Sequence, residues 1–281
     1  MNTVEIYAVA LNVSEGIIQI DKDKGVSGAR NIVHIIKEIS DSIDIDNPNK
    51  SIIVLPEFAL GYRFYRTPEE FELLLSFIGK AISKPNIICF AGTSTVFDEE
   101  KEGFANILPI FVGENLVYSY SKVHTTETES LGLYENLGNR VCSLTDQFND
   151  EPFISIDGIN FVFEICNDYK RGYTYSKHID IEPDLHIIPS CGAPILDVKD
   201  YSKNKLDYAK DRNIFVKKKG FVINVESSFP IKSDDQYNID CIKNRSCVII
   251  NSESEQKDCD DILYYNTLND DKIPVVKFTL G

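Results

Sequence analysis

Three side chains of different chemistry occupy comparable places in this 281-residue sequence, each just past an apolar, strand-like run. Glu57 follows Ile52-Ile53-Val54-Leu55-Pro56. In open α/β sheets the crevice beyond the strand ends is where ligands sit, so an acid placed there points to general acid–base work. The alternative is a solvated loop glutamate. Lys122 follows the alternating stretch Leu116 to Ser121, and taken alone a lysine after a strand is solvated. Cys166 ends the apolar run Ile159 to Ile165 and opens Cys-Asn-Asp ahead of a predicted helix. A cysteine at a strand-to-helix turn meets backbone N–H donors, which lower a thiol pKa and can cradle an oxyanion. The alternative for a lone cysteine after a strand is a small buried hydrophobe.

Competing chemistries find little support. GxxxxGK[ST], GxGxxG and GxSxG are absent, which removes a phosphate cradle and the local signature of a serine hydrolase. His34, His124, His178 and His186 form neither HExxH nor HxH, so zinc catalysis lacks its ligand spacing. The net charge of −15, from 29 basic and 44 acidic residues, argues against a nucleic-acid face and against docking on an anionic membrane. No apolar run approaches the ~18–20 residues that span a bilayer. The opening MNTVEIYAVALNV carries Glu5 and no basic cluster, and reads as a first strand instead of a signal peptide. Seven cysteines without a CxxC pair are expected to be reduced thiols in a cytoplasmic protein.

The elements that must position the three side chains alternate in type. Residues 3–11, 51–56, 86–92, 184–190, 221–226 and 243–250 read as strands, and a final strand closes the chain at VVKFTL. Residues 29–43 place Ile32, Val33, Ile36, Ile39 and Ile43 on one helical face. Residues 68–82 repeat the pattern behind Pro68, and further helices are expected near 170–180 and over 200–219. Hairpins are predicted around Gly113-Glu114-Asn115 and Asp157-Gly158. The Lys217-Lys218-Lys219 run before Gly220 suits a helix C-terminus. The doublets Asp234-Asp235, Asp260-Asp261 and Asp270-Asp271 read as solvated loops, without EF-hand spacing. Helices interleaved with strands and hairpins imply α/β layering with sheets that are not purely parallel.

In this order and in these contexts, Glu57, Lys122 and Cys166 resemble the Glu-Lys-Cys triad of the carbon–nitrogen hydrolase (nitrilase) superfamily. The likeness extends to AVALN near the start, to residues 91–124, to DLHIIPS and to the helix–strand pair 200–225, so it covers roughly residues 3–250. It implies a four-layer α-β-β-α sandwich of the nitrilase type with mixed sheets, here as a single domain over residues 1–281. It also implies that no metal or organic cofactor is needed, that the partner is a small amide-type molecule, and that the chain forms a homodimer.

Residue by residue, the resemblance makes Glu57 the general base, Lys122 the oxyanion-stabilising cation and Cys166 the nucleophile. Glu129 is the best match for a second glutamate that many members carry after the lysine, with Glu127 and Glu135 as alternatives. Asp168 matches a structural aspartate, and the backbone N–H of Asn167 becomes the second oxyanion donor. Cys191, in Ile-Pro-Ser-Cys-Gly, lines the substrate pocket and is the rival nucleophile. Two features depart from the family pattern. Tyr169-Lys170-Arg171-Gly172-Tyr173 stands where an Arg-aromatic-Pro-Glu stretch is usual, so the turn at the cysteine is braced differently. Glu164 interrupts an apolar strand and either pairs with a cation or lines the pocket.

The implied activity is hydrolysis of a non-peptide carbon–nitrogen bond, in a small linear amide or an N-carbamoyl compound, through a thioester. Nitrile hydrolysis and acyl transfer use the same groups. Readings from other classes are a catalytically silent binding or regulatory protein that keeps the fold, and a thiol redox sensor using Cys166 and Cys191.

Overall fold

The computed structural model describes residues 3–11, 25–61, 65–100, 103–124, 142–143, 149–171, 173–174, 182–192, 216–217, 219–227, 246–252 and 255–281. Two mixed sheets carry the structure. The larger is built from β1 (Val4–Val9), β2 (Lys50–Val54), β3 (Tyr65–Arg66), β4 (Ile87–Phe90), β5 (Ser94–Asp98), β6 (Gly103–Val112), β7 (Asn115–Ser121), β8 (Cys142–Ser143), β14 (Asp261–Asn266) and β15 (Lys272–Leu280). Its order is β14-β15-β1-β2-β4-β6-β5-β3, with β7 and β8 also paired to β6. β1, β2 and β4 run parallel at its centre, flanked by antiparallel β15 and β6. The smaller sheet, in the order β13-β12-β11-β10-β9, comprises β9 (Phe153–Ile156), β10 (Ile159–Phe163), β11 (Leu185–Ser190), β12 (Phe221–Glu226) and β13 (Cys247–Asn251).

The two sheets pack face to face. Along each central strand, alternate side chains enter one of two cores. Ile6, Ala8, Ile52, Val54, Ile88 and Phe90 meet Phe161, Phe163, Ile187, Ile223 and Val225 of the opposite sheet. Phe90 touches Phe161 and Phe163 with ring centroids 5.4 and 6.2 Å apart. The residues between them, Tyr7, Val9, Ile53, Ile87 and Cys89, face outward and pack under α1 (Gly25–Ser42) and α2 (Pro68–Ala81). A strand covered on both faces can carry no polar side, which is why these segments read as unbroken apolar runs. The α2 N-terminus is a capping box: the Thr67 hydroxyl accepts from Glu70 N and the Glu70 carboxylate accepts from Thr67 N. On the outer face of the smaller sheet, Tyr169 of α3 (Asn167–Arg171) packs with Ile188, Val248 and Ile250. This is the expected α-β-β-α layering.

Three sequence expectations need correction. The helix expected near 170–180 begins earlier, at Asn167, directly after the cysteine. Asp261 is not in a loop but opens β14, an edge strand whose Leu263 and Tyr265 pack toward α1 while the alternate residues face solvent. Asp270, of the doublet Asp270-Asp271, does lie in the β14–β15 turn, at a left-handed φ of 65°. The helix expected over 200–219 falls mostly outside the described residues, as does Asp234-Asp235, but its described end is not helical: Val216 lies in a bend, Lys217 in irregular chain and Lys219 in a turn before β12. Among the described residues, no helix is long and apolar enough to cross a membrane.

The loop after β2, which carries Glu57, is held by the loop after β4. Phe58 N donates to Thr93 Oγ1 at 2.9 Å, and Leu60 N to the Thr93 carbonyl at 3.1 Å. Their close approach requires Gly92, at a φ of 75°. A Cβ there would stand 2.6 Å from Ala59 Cβ and 2.7 Å from the Pro56 carbonyl oxygen. Gly92→Ala is therefore expected to destabilise the protein by about 2–4 kcal/mol in urea unfolding. A variant as stable as the parent would show that this loop contact is not constrained.

Candidate active site

Glu57 and Lys122 meet. Lys122 Nζ donates to Glu57 Oε1 at 2.6 Å, and both side chains are 1% exposed. The contact follows from β6. Asn106, a polar residue on that apolar strand, donates from Nδ2 to the same Glu57 oxygen at 3.0 Å. Its carbonyl accepts from Lys122 N at 2.9 Å. One asparagine thus holds the acid by its side chain and the lysine by its backbone. Removing either partner of such a buried pair leaves an uncompensated charge and costs about 3–5 kcal/mol.

Cys166 lies where β10 gives way to α3, at a φ of 45°. This left-handed conformation is costly for a residue with a Cβ, and strain of this kind is tolerated where the surroundings over-determine it. Here Cys166 N donates to the Pro189 carbonyl at 3.0 Å, and Sγ donates to the Cys191 carbonyl at 3.4 Å. Burial pushes the thiol well above its ordinary pKa. The negative charge of Glu57 raises it further, Lys122 lowers it, and Glu226 adds a smaller raising effect. The resting sulfur is therefore a neutral thiol that needs a proton acceptor to become a nucleophile.

Asp168 has no exposed surface and ties the lysine strand to the cysteine turn. Its Oδ2 accepts from Tyr120 OH at 2.8 Å and Val123 N at 3.0 Å. Its Oδ1 accepts from His124 N at 2.6 Å and lies 3.1 Å from His124 Nδ1. Asn167 Nδ2 adds a bond to the His124 carbonyl at 2.9 Å. Burial pushes the Asp168 carboxyl upward in pKa, and the donors from His124, Val123 and Tyr120 pull the other way. Glu164 pairs with a cationic-capable partner: Oε2 is 3.1 Å from His186 Nε2, while Oε1 accepts from Thr174 N at 2.8 Å. It faces the outer side of the smaller sheet with Tyr169, whose ring meets His186 edge-on. The stretch after the cysteine is thus flanked by Glu164, just past the end of β10, and by His186 of β11.

Cys191 is half-buried at the end of β11, and burial pushes its thiol to about 12. Glu129 lies outside the described residues, as do its alternatives Glu127 and Glu135. The sequence reading did not single out His124, Tyr120, Ser190 or Glu226 as site residues. The signal for Glu226 was present: like Glu57, it is an acid at the end of an apolar strand. Among the described residues, no group of three or more His, Cys, Asp or Glu side chains could hold a metal ion.

No protein-family model matches the chain, and no curated protein sequence matches it. Solved structures do. Nit3 of Saccharomyces cerevisiae, a member of branch 10 of the nitrilase superfamily, aligns over 99% of this chain and 90% of its own, with a TM-score of 0.61 and 14% identity. The chain has the nitrilase fold. XC1258 of Xanthomonas campestris, a CN-hydrolase superfamily protein with an arsenic adduct in its active site, aligns over 100% and 91% at a TM-score of 0.58 and 13% identity. A mutant amidase from Nesterenkonia sp. AN1 aligns over 98% and 90% at 0.54 and 10% identity, and it carries the acetamide moiety of fluoroacetamide on its active-site cysteine. Within the nitrilase fold of this chain, the described site comprises the acid–lysine pair, the strained cysteine and the aspartate tie.

Two outcomes are expected from this geometry. Asp168→Asn turns an acceptor toward buried donors into a donor, and is expected to cost about 3 kcal/mol in urea unfolding. An unchanged unfolding midpoint would remove the tie. Because the Cys166 thiol is pushed above its ordinary range, its alkylation by iodoacetamide should keep accelerating beyond about pH 9. A rate that levels off near neutral pH would show a resting thiolate.

Proposed function

We propose that this chain is a cysteine-dependent hydrolase of non-peptide carbon–nitrogen bonds, acting on small linear amides or N-carbamoyl compounds. The observation that carries the reading is the buried Glu57–Lys122 pair, at 2.6 Å, whose two charges both act on the Cys166 thiol. The fold shared with Nit3 and with the Nesterenkonia amidase supports it.

An amide carbon is a weak electrophile, and a neutral thiol is a weak nucleophile. Glu57 takes the thiol proton as sulfur bonds to the carbonyl carbon, and the carbonyl π electrons move to oxygen. Lys122 faces the developing oxyanion, with the backbone N–H of Asn167 as second donor. Losing one such donor typically costs about 3–4 kcal/mol of transition-state stabilisation. As the tetrahedral intermediate collapses, the carbon–nitrogen bond breaks and Glu57 returns its proton to the leaving ammonia or amine. The acyl group then rests on Cys166 as a thioester. Glu57 next removes a proton from water, hydroxide adds to the thioester carbon, and as the tetrahedral adduct collapses the carbon–sulfur bond breaks and Glu57 returns that proton to sulfur. The acid departs and the thiol is restored. Glu129 is carried in this proposal as the second acid of the site, and Cys191 as a residue of the pocket wall. No step uses a metal or an organic cofactor.

Ammonia release from a panel of short aliphatic amides and N-carbamoyl compounds tests the proposal. Cys166→Ala and Cys166→Ser are expected to lose at least about 1000-fold in kcat/KM while unfolding at the parent's temperature. Fluoroacetamide should add an acetamide group to Cys166 and spare Cys191, read by peptide mass spectrometry. Full turnover in both Cys166 variants would end this reading.

A further inference from the structure

Glu226 is a second carboxylate near the sulfur with no part in the chemistry just described. It ends β12, has no exposed surface and lies across from the end of β11. Its Oε2 accepts from Ser190 Oγ at 2.7 Å, and its Oε1 accepts from Gly192 N at 2.7 Å. The residue between those two donors is Cys191, whose carbonyl accepts from the Cys166 thiol at 3.4 Å. We propose that Glu226 is a positioning residue for the nucleophile: it clamps the Ser190–Gly192 turn from both sides, so that the Cys191 carbonyl between them holds the Cys166 sulfur in place.

The surroundings are built to keep the clamp rigid. Asn224 Nδ2 donates to Ser190 Oγ at 3.0 Å and to the Ile188 carbonyl at 3.0 Å, fixing the serine that Glu226 grips. Ser227, the next residue, donates from Oγ toward the Ser190 carbonyl at 3.2 Å and the Glu57 carbonyl at 3.1 Å. The same strand end therefore touches both residues that flank the cysteine's carbonyl anchor and the backbone of the general base, across the gap between the two sheets. Hydrogen bonds to an ionised acceptor are roughly twice as strong as neutral ones, so a carboxylate holds such a turn better than an amide. Gly192 adopts a φ of 85°, a conformation suited to presenting its N–H to Glu226 at the close of the turn. Glu226 also sits close enough for its charge to raise the Cys166 thiol, alongside Glu57 and against Lys122.

The inference rests on Cys166 being the nucleophile, and its test reads the sulfur directly, without turnover. The second-order rate of Cys166 carbamidomethylation by iodoacetamide is measured on the full chain from about pH 7 to about pH 10, with thermal unfolding in parallel. Glu226→Gln removes the charge and one acceptor, and is expected to speed alkylation at least about threefold near neutral pH by moving the profile to lower pH. Ser190→Ala keeps the charge and removes one arm of the clamp. It is expected to raise the rate about threefold at every pH, with the parent's pH dependence. Parent rates in folded Ser190→Ala overturn the clamp, even if Glu226→Gln shifts the profile, because the acid then acts through its charge alone. Should Glu226→Gln not fold, Ser190→Ala decides by the same criterion. Full turnover in Cys166→Ala would retire the hydrolase reading, whereas the alkylation rates of Ser190→Ala and Glu226→Gln would still decide whether the turn clamps the sulfur.

Discussion

The ion pair between Glu57 and Lys122 sets the demand that the rest of the site meets, because a carboxylate and an ammonium taken out of water must be matched in distance and in remaining hydrogen bonds. Their contact is 2.6 Å and neither side chain reaches solvent appreciably. The loop after β2 must end where the strand β7 ends, although 64 residues separate the two groups in the chain (Glu57 to Lys122, 65 positions apart). Asn106 resolves this by bonding to both. It can do so because β6 lies beside β4 and β7 in one sheet, placing its polar side chain at the level of the β2 strand end.

The smaller sheet supplies the sulfur under a second constraint. Cys166 adopts a left-handed backbone conformation at the point where β10 turns into a helix of five residues. Such strain persists only where neighbours outweigh it. The neighbours are identifiable: the Pro189 carbonyl on one side, and on the other Asp168, whose carboxylate gathers donors from Tyr120, Val123 and His124. Asp168 joins the sheets at the same end as the Glu57–Lys122 pair. The Glu57–Lys122 pair belongs to the larger sheet and Cys166 to the smaller one, so their mutual position depends on how the two sheets pack. Phe90 against Phe161 and Phe163 is part of that packing.

Much of the layering was legible because burial leaves a strong local mark. Strands covered on both faces must be apolar throughout, so β2 and β4 stood out as runs, and the turn glycines Gly113 and Gly158 marked the hairpins. The start of α3 is not legible in the sequence because its first turn, from Asn167, carries no periodic apolar signal. Asp261 reads as a loop residue because only one face of the edge strand β14 is covered and this opening residue is solvated. Glu164 left two readings open, and the choice fell to His186, 22 residues further on (186 against 164) and on the neighbouring strand.

By itself, the sequence determined which segments must be buried, where turns must fall, and that an acid, a lysine and a cysteine each sit at the end of a buried segment. Those are local consequences of side-chain polarity and backbone freedom, and they survive without knowledge of any neighbour. Only the tertiary structure decided that Glu57 meets Lys122 through Asn106, that Asp168 fastens the cysteine turn to the lysine strand, and that Glu226 grips the turn beside the sulfur. Each of these is a contact between residues far apart in the chain, created by strand order and by the packing of one sheet on the other. A carboxylate's role depends on the donors and charges that folding brings within about 3 Å of it, and no local pattern encodes that set.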